Sequence, residues 1–205
     1  MKPSPARPVP PAFITAAGID HEARRQLLAL ARTALETAVR AEPMRPVDQA
    51  DLHEDARRPF GAFVTLTEGE ALRGCIGRLD FERAVWANVV EAAIASALED
   101  PRFPPVRPRE LGAIAIEISV LDPPARIDDP REFDASRHGI LIERGWHRGL
   151  LLPVVARRYR WDERRTLEAV CEKAGLPSRS WQEPDTRLYV FTAAEFDEAE
   201  LGPAA

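Results

Sequence analysis

Residues 60–78, FGAFVTLTEGEALRGCIGR, decide the fold because they form a pattern of two short strands joined by a tight turn. Aromatic and β-branched residues alternate with smaller ones from Phe60 to Thr67, which is typical of a strand. Glu68-Gly69-Glu70 supplies the turn, and Ala71 to Ile76 supplies the return strand. Strands joined this closely pair antiparallel. The stretch therefore predicts an α+β fold, with an antiparallel sheet flanked by helices, rather than a parallel α/β fold.

Helical patterns lie on both sides of this hairpin. Asp20 precedes an amphipathic pattern that ends before Pro43, which predicts a capped helix. After the hairpin, Asp80 is predicted to cap a second helix, which Asp100-Pro101 stops. Cys75 would then lie near the end of its strand, in the short connection before that helix. At this place the positive end of the helix dipole favours a thiolate.

The second half of the chain repeats the order hairpin, helix, strand, although no residue-level repeat accompanies it. Residues 113–121 alternate as a half-buried strand that completes the first unit. Residues 139–152 form a second hairpin pattern, Pro153 and Asp162 begin helices, and residues 188–191 form a final strand. We expect the two hairpin-helix units to make one antiparallel-sheet body.

Composition limits the class of protein and its partners. The 205 residues contain no apolar run of about 18, so neither a membrane-spanning helix nor a membrane partner is predicted. A formal net charge of −5 argues against nucleic acid as a partner. Residues 1–15 are rich in proline and lack the apolar stretch of a signal peptide, so they are predicted to be a disordered leader. Two distant cysteines without an export signal fit reduced thiols in the cytoplasm.

The return strand ends in LRGCIGR, which places Cys75 between Gly74 and Gly77 and beside Arg73 and Arg78. Glycines on both sides predict a tight turn with an open backbone. Arginine neighbours favour the thiolate, which is the reactive form of cysteine. A second interpretation remains open: the glycines only let the strand bend, and the cysteine is a small buried hydrophobe.

Four polar residues elsewhere are candidates for the same site. His138, at the start of a strand, could approach the thiol of Cys75 and serve as its base. Glu117 lies on the polar phase of a strand, where it either supplies a carboxylate or faces water. Asp100 and Arg102 lie in a proline-rich loop, where they either pair to hold the turn or line a pocket beside the thiol.

Several common sites are absent from the sequence. It contains no phosphate-binding glycine loop, zinc-ligand spacing or dinucleotide fingerprint, so no cofactor is predicted. His53-Glu54-Asp55 is predicted to be a solvated loop rather than a metal site, because three consecutive residues do not point one way. Cys171 lies in an apolar helical stripe and is predicted to belong to the core.

The cysteine motif and the segments around it resemble the AMMECR domain family. The resemblance covers about residues 20 to 195 in a fixed order, which is far more specific than one motif. The segments that carry it are GAFVTL (61–66), LRGCIG (72–77), DPRFPP (100–105), Glu110-Leu111 before IEISVL (116–121), HGI (138–140), GLLLP (149–153) and the helical stretch 161–181. Family members usually have glutamine after that last Leu-Pro, where this chain has Val154.

The resemblance implies one AMMECR-like domain over residues 16–200, with a larger α+β lobe, a smaller lobe and a cavity around the cysteine motif. It brings no established reaction. It also implies an association with Memo-like proteins, which are similar to extradiol dioxygenases, and with radical-SAM enzymes.

Two hypotheses follow from the sequence. In the first, the protein is a cysteine-dependent enzyme acting on a small anionic molecule, with Cys75 as nucleophile. Arg73 or Arg78 would hold the anion, and His138 or Glu117 would be the acid-base partner. In the second, the protein is a non-catalytic binding or adaptor module whose cavity recognises a small-molecule ligand or a partner segment.

Overall fold

Within the computed structural model, which describes residues 15–201, the chain forms two four-stranded antiparallel sheets and five α-helices. The predicted leader, except for Thr15, lies outside these residues. The α+β class is confirmed. In chain order the elements are α1 (His21–Val39), β1 (Gly61–Glu68), β2 (Ala71–Arg78), α2 (Val85–Leu98), β3 (Ile114–Leu121), β4 (Ala125–Ile127), β5 (Gly139–Arg144), β6 (His147–Leu151), α3 (Pro153–Tyr159), α4 (Glu163–Lys173), β7 (Arg187–Phe191), β8 (Ala193–Asp197) and α5 (Glu198–Leu201).

The expected single sheet is wrong, because the two hairpins build separate sheets. The larger lobe contains α1, α2 and the sheet β2-β1-β3-β8, and the smaller lobe contains α3, α4 and the sheet β4-β7-β5-β6. After β3 the chain crosses to add β4 to the second sheet, and after β7 it returns to add β8 to the first. The smaller sheet is therefore built from consecutive strands, whereas the larger sheet takes its edge strand β8 from the chain that follows the smaller lobe.

The predicted order of hairpin, helix and strand does occur twice. In both units a glycine lets a helix pack closely against the hairpin. In each hairpin the return strand carries a glycine where a helix crosses it. A β-carbon on Gly74 of β2 would lie 2.1 Å from the backbone oxygen of Ser96 in α2. A β-carbon on Gly149 of β6 would lie 2.8 Å from the backbone oxygen of Val170 in α4. Both glycines permit close contact between helix and strand backbones.

Helix α1 begins as its sequence predicts, whereas α2 does not. Asp20 caps α1, and its side chain accepts a hydrogen bond from the Glu22 N–H. The predicted cap Asp80 lies outside α2, which starts at Val85 after Ala84. The Val85 N–H donates instead to the backbone oxygen of Arg58 at 2.8 Å. A loop carbonyl thus satisfies one of the free N–H groups of the first turn.

The larger sheet has one face packed on the helices and one face turned toward the smaller lobe. Val64, Leu66, Ile116 and Ile118 are fully buried on the helix side. We call the opposite side, which carries the alternate residues, the open face. A separate apolar cluster joins the lobes at one end of the open face; its fully or nearly buried members are Leu121, Leu141, Leu150 and Phe191.

Candidate functional site

A row of four polar side chains crosses the open face. Cys75 is opposite Thr65, Thr65 is opposite Glu117, and Glu117 is opposite Asp197. Directly opposed residues in a sheet point to the same face, so one side chain from each strand meets in this row. The Thr65 hydroxyl donates to the Cys75 sulfur at 3.3 Å. We call these residues the polar row.

The polar row lies at the mouth of the cleft between the lobes. Toward the joined end of the open face, Ser119 and Leu121 are buried. At the opposite end, Ala115 and Leu72 are exposed. The four members of the polar row are intermediate in exposure. The smaller lobe therefore covers the sheet up to this row and leaves the row within reach of solvent.

The loop after α2 holds the backbone of Cys75 from the sheet edge. A carboxylate oxygen of Asp100 accepts the Cys75 N–H at 2.8 Å, and a guanidinium nitrogen of Arg102 donates to the Cys75 carbonyl at 3.1 Å. Arg102 also forms two hydrogen bonds with the carboxylate, at 2.9 and 2.6 Å. These bonds, above all those from Arg102, hold the pKa of Asp100 well below its usual range. The pair thus maintains the turn, as one of the two predicted alternatives states, and it also binds the backbone of Cys75.

The predicted position of Cys75 before a helix N-terminus is wrong. Strand β2 continues past it to Arg78, and the chain then reverses, so the Cys75 region packs beside the last turns of α2. Ser96 of α2 accepts a hydrogen bond from the Ile76 N–H at 2.8 Å and donates one to the Val64 carbonyl at 2.7 Å. The nearby helix end is the negative one, so the dipole gives the thiolate no assistance.

The two glycines of the motif serve close packing rather than a turn. Gly74 and Gly77 both lie within β2, and neither has a positive φ. A β-carbon on Gly77 would lie 2.4 Å from the ring of Phe63, its partner on the neighbouring strand. The ring occupies the space next to the polar row. The prediction of a tight turn around Cys75 is therefore wrong.

The side chains of Arg73 and Arg78 do not lie on the open face with that of Cys75. Arg78 is opposite buried Ala62, on the helix side, and pairs with Glu91 at 3.4 Å. Arg73 is the extra residue of a bulge in β2, and it pairs with Glu110 at 2.9 Å. Both guanidinium groups already have carboxylate partners away from the thiol. The geometry gives no support to their predicted role as the anion clamp.

Carboxylates of the open face lie close to arginines of the smaller lobe. Burial, followed by the charges of Glu195 and Asp197, raises the pKa of Glu117, while Arg158 of α3 opposes this rise. Burial also raises the pKa of Glu195, which forms an ion pair with Arg157 of α3. A carboxyl with a raised pKa keeps its proton closer to neutral pH, as an acid-base group requires.

At the position where the family resemblance predicts glutamine, Val154 acts through its backbone. Its main chain opposes the rise in the pKa of Glu195 that burial causes. The valine side chain adds no polar group, so the link between α3 and the open face here comes from the main chain.

His138 and Cys171 lie in the smaller lobe with partners of their own. The Nδ1 atom of His138 accepts the Asp134 N–H at 3.2 Å. Burial lowers the pKa of His138, and the charged groups acting on it are Asp134 and Arg137. The structure does not bring this histidine into contact with Cys75. Cys171 is fully buried, as predicted, and burial raises the pKa of its thiol.

Sequence reasoning missed two residues of the polar row, Thr65 and Asp197. Thr65 could have been found from the hairpin register, but the bulge in β2 shifts that register by one residue. Asp197 ends β8, a five-residue strand that the sequence analysis did not predict.

Four open pockets in the described part of the chain lie away from Cys75. A cavity of about 510 Å³ is lined by Pro59, Phe60, Phe81 and neighbouring residues, and Cys75 lines neither this cavity nor the three smaller ones near Trp161 and Trp181. Residues 15–201 contain no cluster of three or more His, Cys, Asp or Glu side chains placed to hold a metal ion. No helix in the same part of the chain has the length and apolar character needed to cross a membrane.

Comparison with known proteins identifies the family. A sequence model described as AMMECR1 matches residues 28–196. A protein of Thermococcus gammatolerans is 42% identical over 84% of this chain and 88% of its own length, and one of Methanothermobacter thermautotrophicus is 41% identical over 89% and 97%. The crystal structure of uncharacterized protein PH0010 from Pyrococcus horikoshii superposes with a TM-score of 0.82 at 38% identity, covering 87% of this chain and 93% of that one. The chain therefore belongs to the AMMECR1 family.

Proposed function

We propose that the polar row is a site for a small anionic ligand and that Cys75 acts on this ligand as a nucleophile. The observation that carries the proposal is the alignment of the Cys75 thiol, the Thr65 hydroxyl and the Glu117 carboxyl on adjacent strands of one half-exposed face. A thiol, a hydroxyl and a carboxyl with a raised pKa are suited to nucleophilic attack, orientation and proton transfer.

The distance between the strands of the polar row determines where a ligand would lie. Neighbouring strands lie about 4.8 Å apart, so Glu117 is roughly 10 Å from Cys75. At this distance the carboxyl cannot take the proton of the thiol directly. Glu117 can exchange a proton with a ligand that lies over Thr65 and reaches both groups.

The anionic character of the ligand follows from Arg102. Its side chain is 53% exposed beside the Cys75 backbone. One edge of its guanidinium binds Asp100, and the hydrogen-bonding capacity that remains is available to a carboxylate or a phosphate. Arg102 therefore takes the clamp role that the sequence assigned to Arg73 or Arg78.

A non-catalytic binding module is the second candidate, and one observation favours it. Among the described residues, the side-chain groups next to the Cys75 sulfur are the Thr65 hydroxyl and the Arg102 guanidinium, neither of which is a general base at neutral pH. His138, the predicted base, contacts Asp134 instead. As a binding module, the protein would hold the ligand at the polar row without catalysing a reaction. The pathway shared with Memo-like and radical-SAM proteins stays a prediction from the family resemblance.

Retention of small molecules tests the proposal. Immobilised wild type is incubated with a cell metabolite extract, washed and analysed by mass spectrometry beside Cys75→Ser and the control Cys171→Ser. We expect wild type and Cys171→Ser to retain an anionic molecule that Cys75→Ser loses or holds about tenfold less, because the thiol contacts the ligand. A covalent adduct on Cys75 supports the enzyme, and retention without an adduct supports the binding module. Retention that is equal in all three proteins would reject the site.

A further inference from the structure

One ion pair joins the two lobes across the cleft. Arg157 of α3 in the smaller lobe donates to the carboxylate of Glu195 in β8 of the larger sheet. We call these two residues the interlobe pair. Glu195 is opposite Ser119. Two positions along each strand, on the same face, Glu117 is opposite Asp197 in the polar row. The interlobe pair therefore lies one step from the polar row, toward the joined end of the open face.

The covalent connections between the lobes both lie at that joined end. They follow Leu121 of β3 and Phe191 of β7, and hydrogen bonds hold them together. The Asp122 N–H donates to the Thr192 carbonyl at 3.0 Å, and the Thr192 hydroxyl donates to the Asp122 carboxylate. A lobe that is attached at one end can rotate about that end as about a hinge. Contacts farther along the face, such as the interlobe pair, then decide whether the smaller lobe stays over the sheet.

The buried charge of Glu195 depends on Arg157. The Glu195 side chain is 20% exposed and that of Arg157 is 43% exposed. The Oε1 atom of Glu195 is buried and has no hydrogen-bond partner of normal geometry among the described residues, although the Val154 main chain acts on the carboxylate. Glu117 and Asp197, one step along the same face, are acids and cannot neutralise it. A buried charge without its partner is costly, whereas an exposed arginine without its partner is solvated by water.

We infer that Arg157 is a positioning residue, which neutralises Glu195 and thereby holds the smaller lobe over the open face and limits access to Cys75. The inference rests on the proposed function and adds to it a control of access to the site. Without the guanidinium, the Glu195 carboxylate regains water when the smaller lobe rotates outward. The same rotation exposes the polar row, so a ligand enters through a cleft whose opening one ion pair opposes.

Two maleimides of different size measure the opening of the cleft at Cys75. N-ethylmaleimide is small, a maleimide joined to a polyethylene glycol chain is bulky, and both alkylate the same sulfur. The ratio of their rates, bulky to small, reports access and cancels changes in the reactivity of the thiol. We expect Arg157→Gln to raise this ratio about three- to tenfold over wild type, because an unneutralised Glu195 favours the open cleft. Cys171 is fully buried, so its labelling reveals any variant that unfolds.

Two further variants isolate the cause. Glu195→Gln removes the buried charge, so the double variant with Arg157→Gln and Glu195→Gln should return the ratio to within about twofold of wild type. A packing defect at position 157 would persist in the double variant, so this rescue assigns the effect to charge. Arg148→Gln breaks an ion pair with Glu143 inside the smaller lobe and should leave the ratio unchanged.

The outcomes separate the inference from the proposed function. An unchanged ratio in Arg157→Gln, with Cys75 still reactive, would overturn the role of Arg157 and leave the proposed site in place. A raised ratio that persists in the double variant would overturn it too, because the charge of Glu195 would not be the cause. If Arg157→Gln unfolds, the double variant should still fold with the wild-type ratio, and its unfolding as well would overturn the inference. Wild-type Cys75 that reacts with neither maleimide would reject the proposed function itself.

Discussion

Replacing Gly74 with alanine is expected to lower the free energy of unfolding by on the order of 3 kcal/mol, the upper part of the range for overpacking. The added β-carbon would lie 2.1 Å from the Ser96 backbone oxygen. A backbone atom cannot rotate away as a side chain can, so α2 and β2 must separate. Their separation would also break the hydrogen bonds of the Ser96 hydroxyl to Ile76 and Val64. Urea denaturation followed by circular dichroism measures the change.

Gly112→Ala is the matched control for this substitution. A β-carbon at Gly112 would meet no atom within 4 Å, and its φ is not positive. The control should unfold within about 0.5 kcal/mol of wild type, because it adds the same methyl group without a collision. A Gly74→Ala midpoint equal to that of the control would mean that the backbones of α2 and β2 do not approach as closely as described.

Replacing Asp100 with alanine is expected to cost on the order of 3 kcal/mol of stability, because it removes the acceptor of a backbone N–H together with charge-assisted hydrogen bonds. The Asp100 side chain is only 2% exposed, so water does not replace the lost acceptor. The Cys75 N–H at the sheet edge would be left without its partner. Arg102 would lose the carboxylate that orients it, so the binding of the anionic ligand should weaken as well.

The sequence offers an exposed copy of this motif as a control. Asp129-Pro130-Arg131 repeats Asp100-Pro101-Arg102, with the same hydrogen bonds between acid and arginine. Asp129→Ala should change stability little, because both side chains face water. The result that would contradict the account is an equal loss of stability in Asp100→Ala and Asp129→Ala.

The pH dependence of the Asp100 effect has a defined sign. Since the folded-state pKa of Asp100 is lowered, chiefly by Arg102, its carboxylate stabilises the fold above its unfolded pKa, which is about 3.9. This stabilisation is lost as the pH falls through the lower folded-state pKa. The difference in stability between wild type and Asp100→Ala should therefore be constant from pH 5 to about 8 and should narrow only in stronger acid.

Local features of the fold were predictable from the sequence. The cap at Asp20, both hairpins and the alternation in β3 depend on neighbouring residues, and the structure confirms them. The pairing of the two halves was not predictable, because periodicity identifies a strand without naming its partner. Strand β4, with three residues, begins the second sheet directly after β3, and β8, with five, returns the chain to the first sheet. Missing these crossovers led to the prediction of one sheet.

The candidate site was also predictable only in part, because the sequence does not show which strands pair with each other. The sequence identified Cys75, Glu117, Asp100 and Arg102, and the structure places all four at or beside the polar row. It also suggested that glycine and arginine neighbours served the thiol. Strand alternation turns Gly74 and Arg78 to the helix side, and Arg73 is the extra residue of the bulge, whereas Gly77 stays on the open face beside the Phe63 ring.

Labelling of the two cysteines tests the central claim, a reactive Cys75 at the mouth of the cleft, most directly. Native protein is treated with iodoacetamide across a range of pH, quenched and digested, and each cysteine is quantified by mass spectrometry. Cys75 is half-exposed, whereas Cys171 is fully buried and its thiol has a raised pKa. We expect Cys75 to be labelled at least about tenfold faster at neutral pH, and Cys171 to react only after unfolding. Equal labelling of the two thiols, or faster labelling of Cys171, would contradict the account.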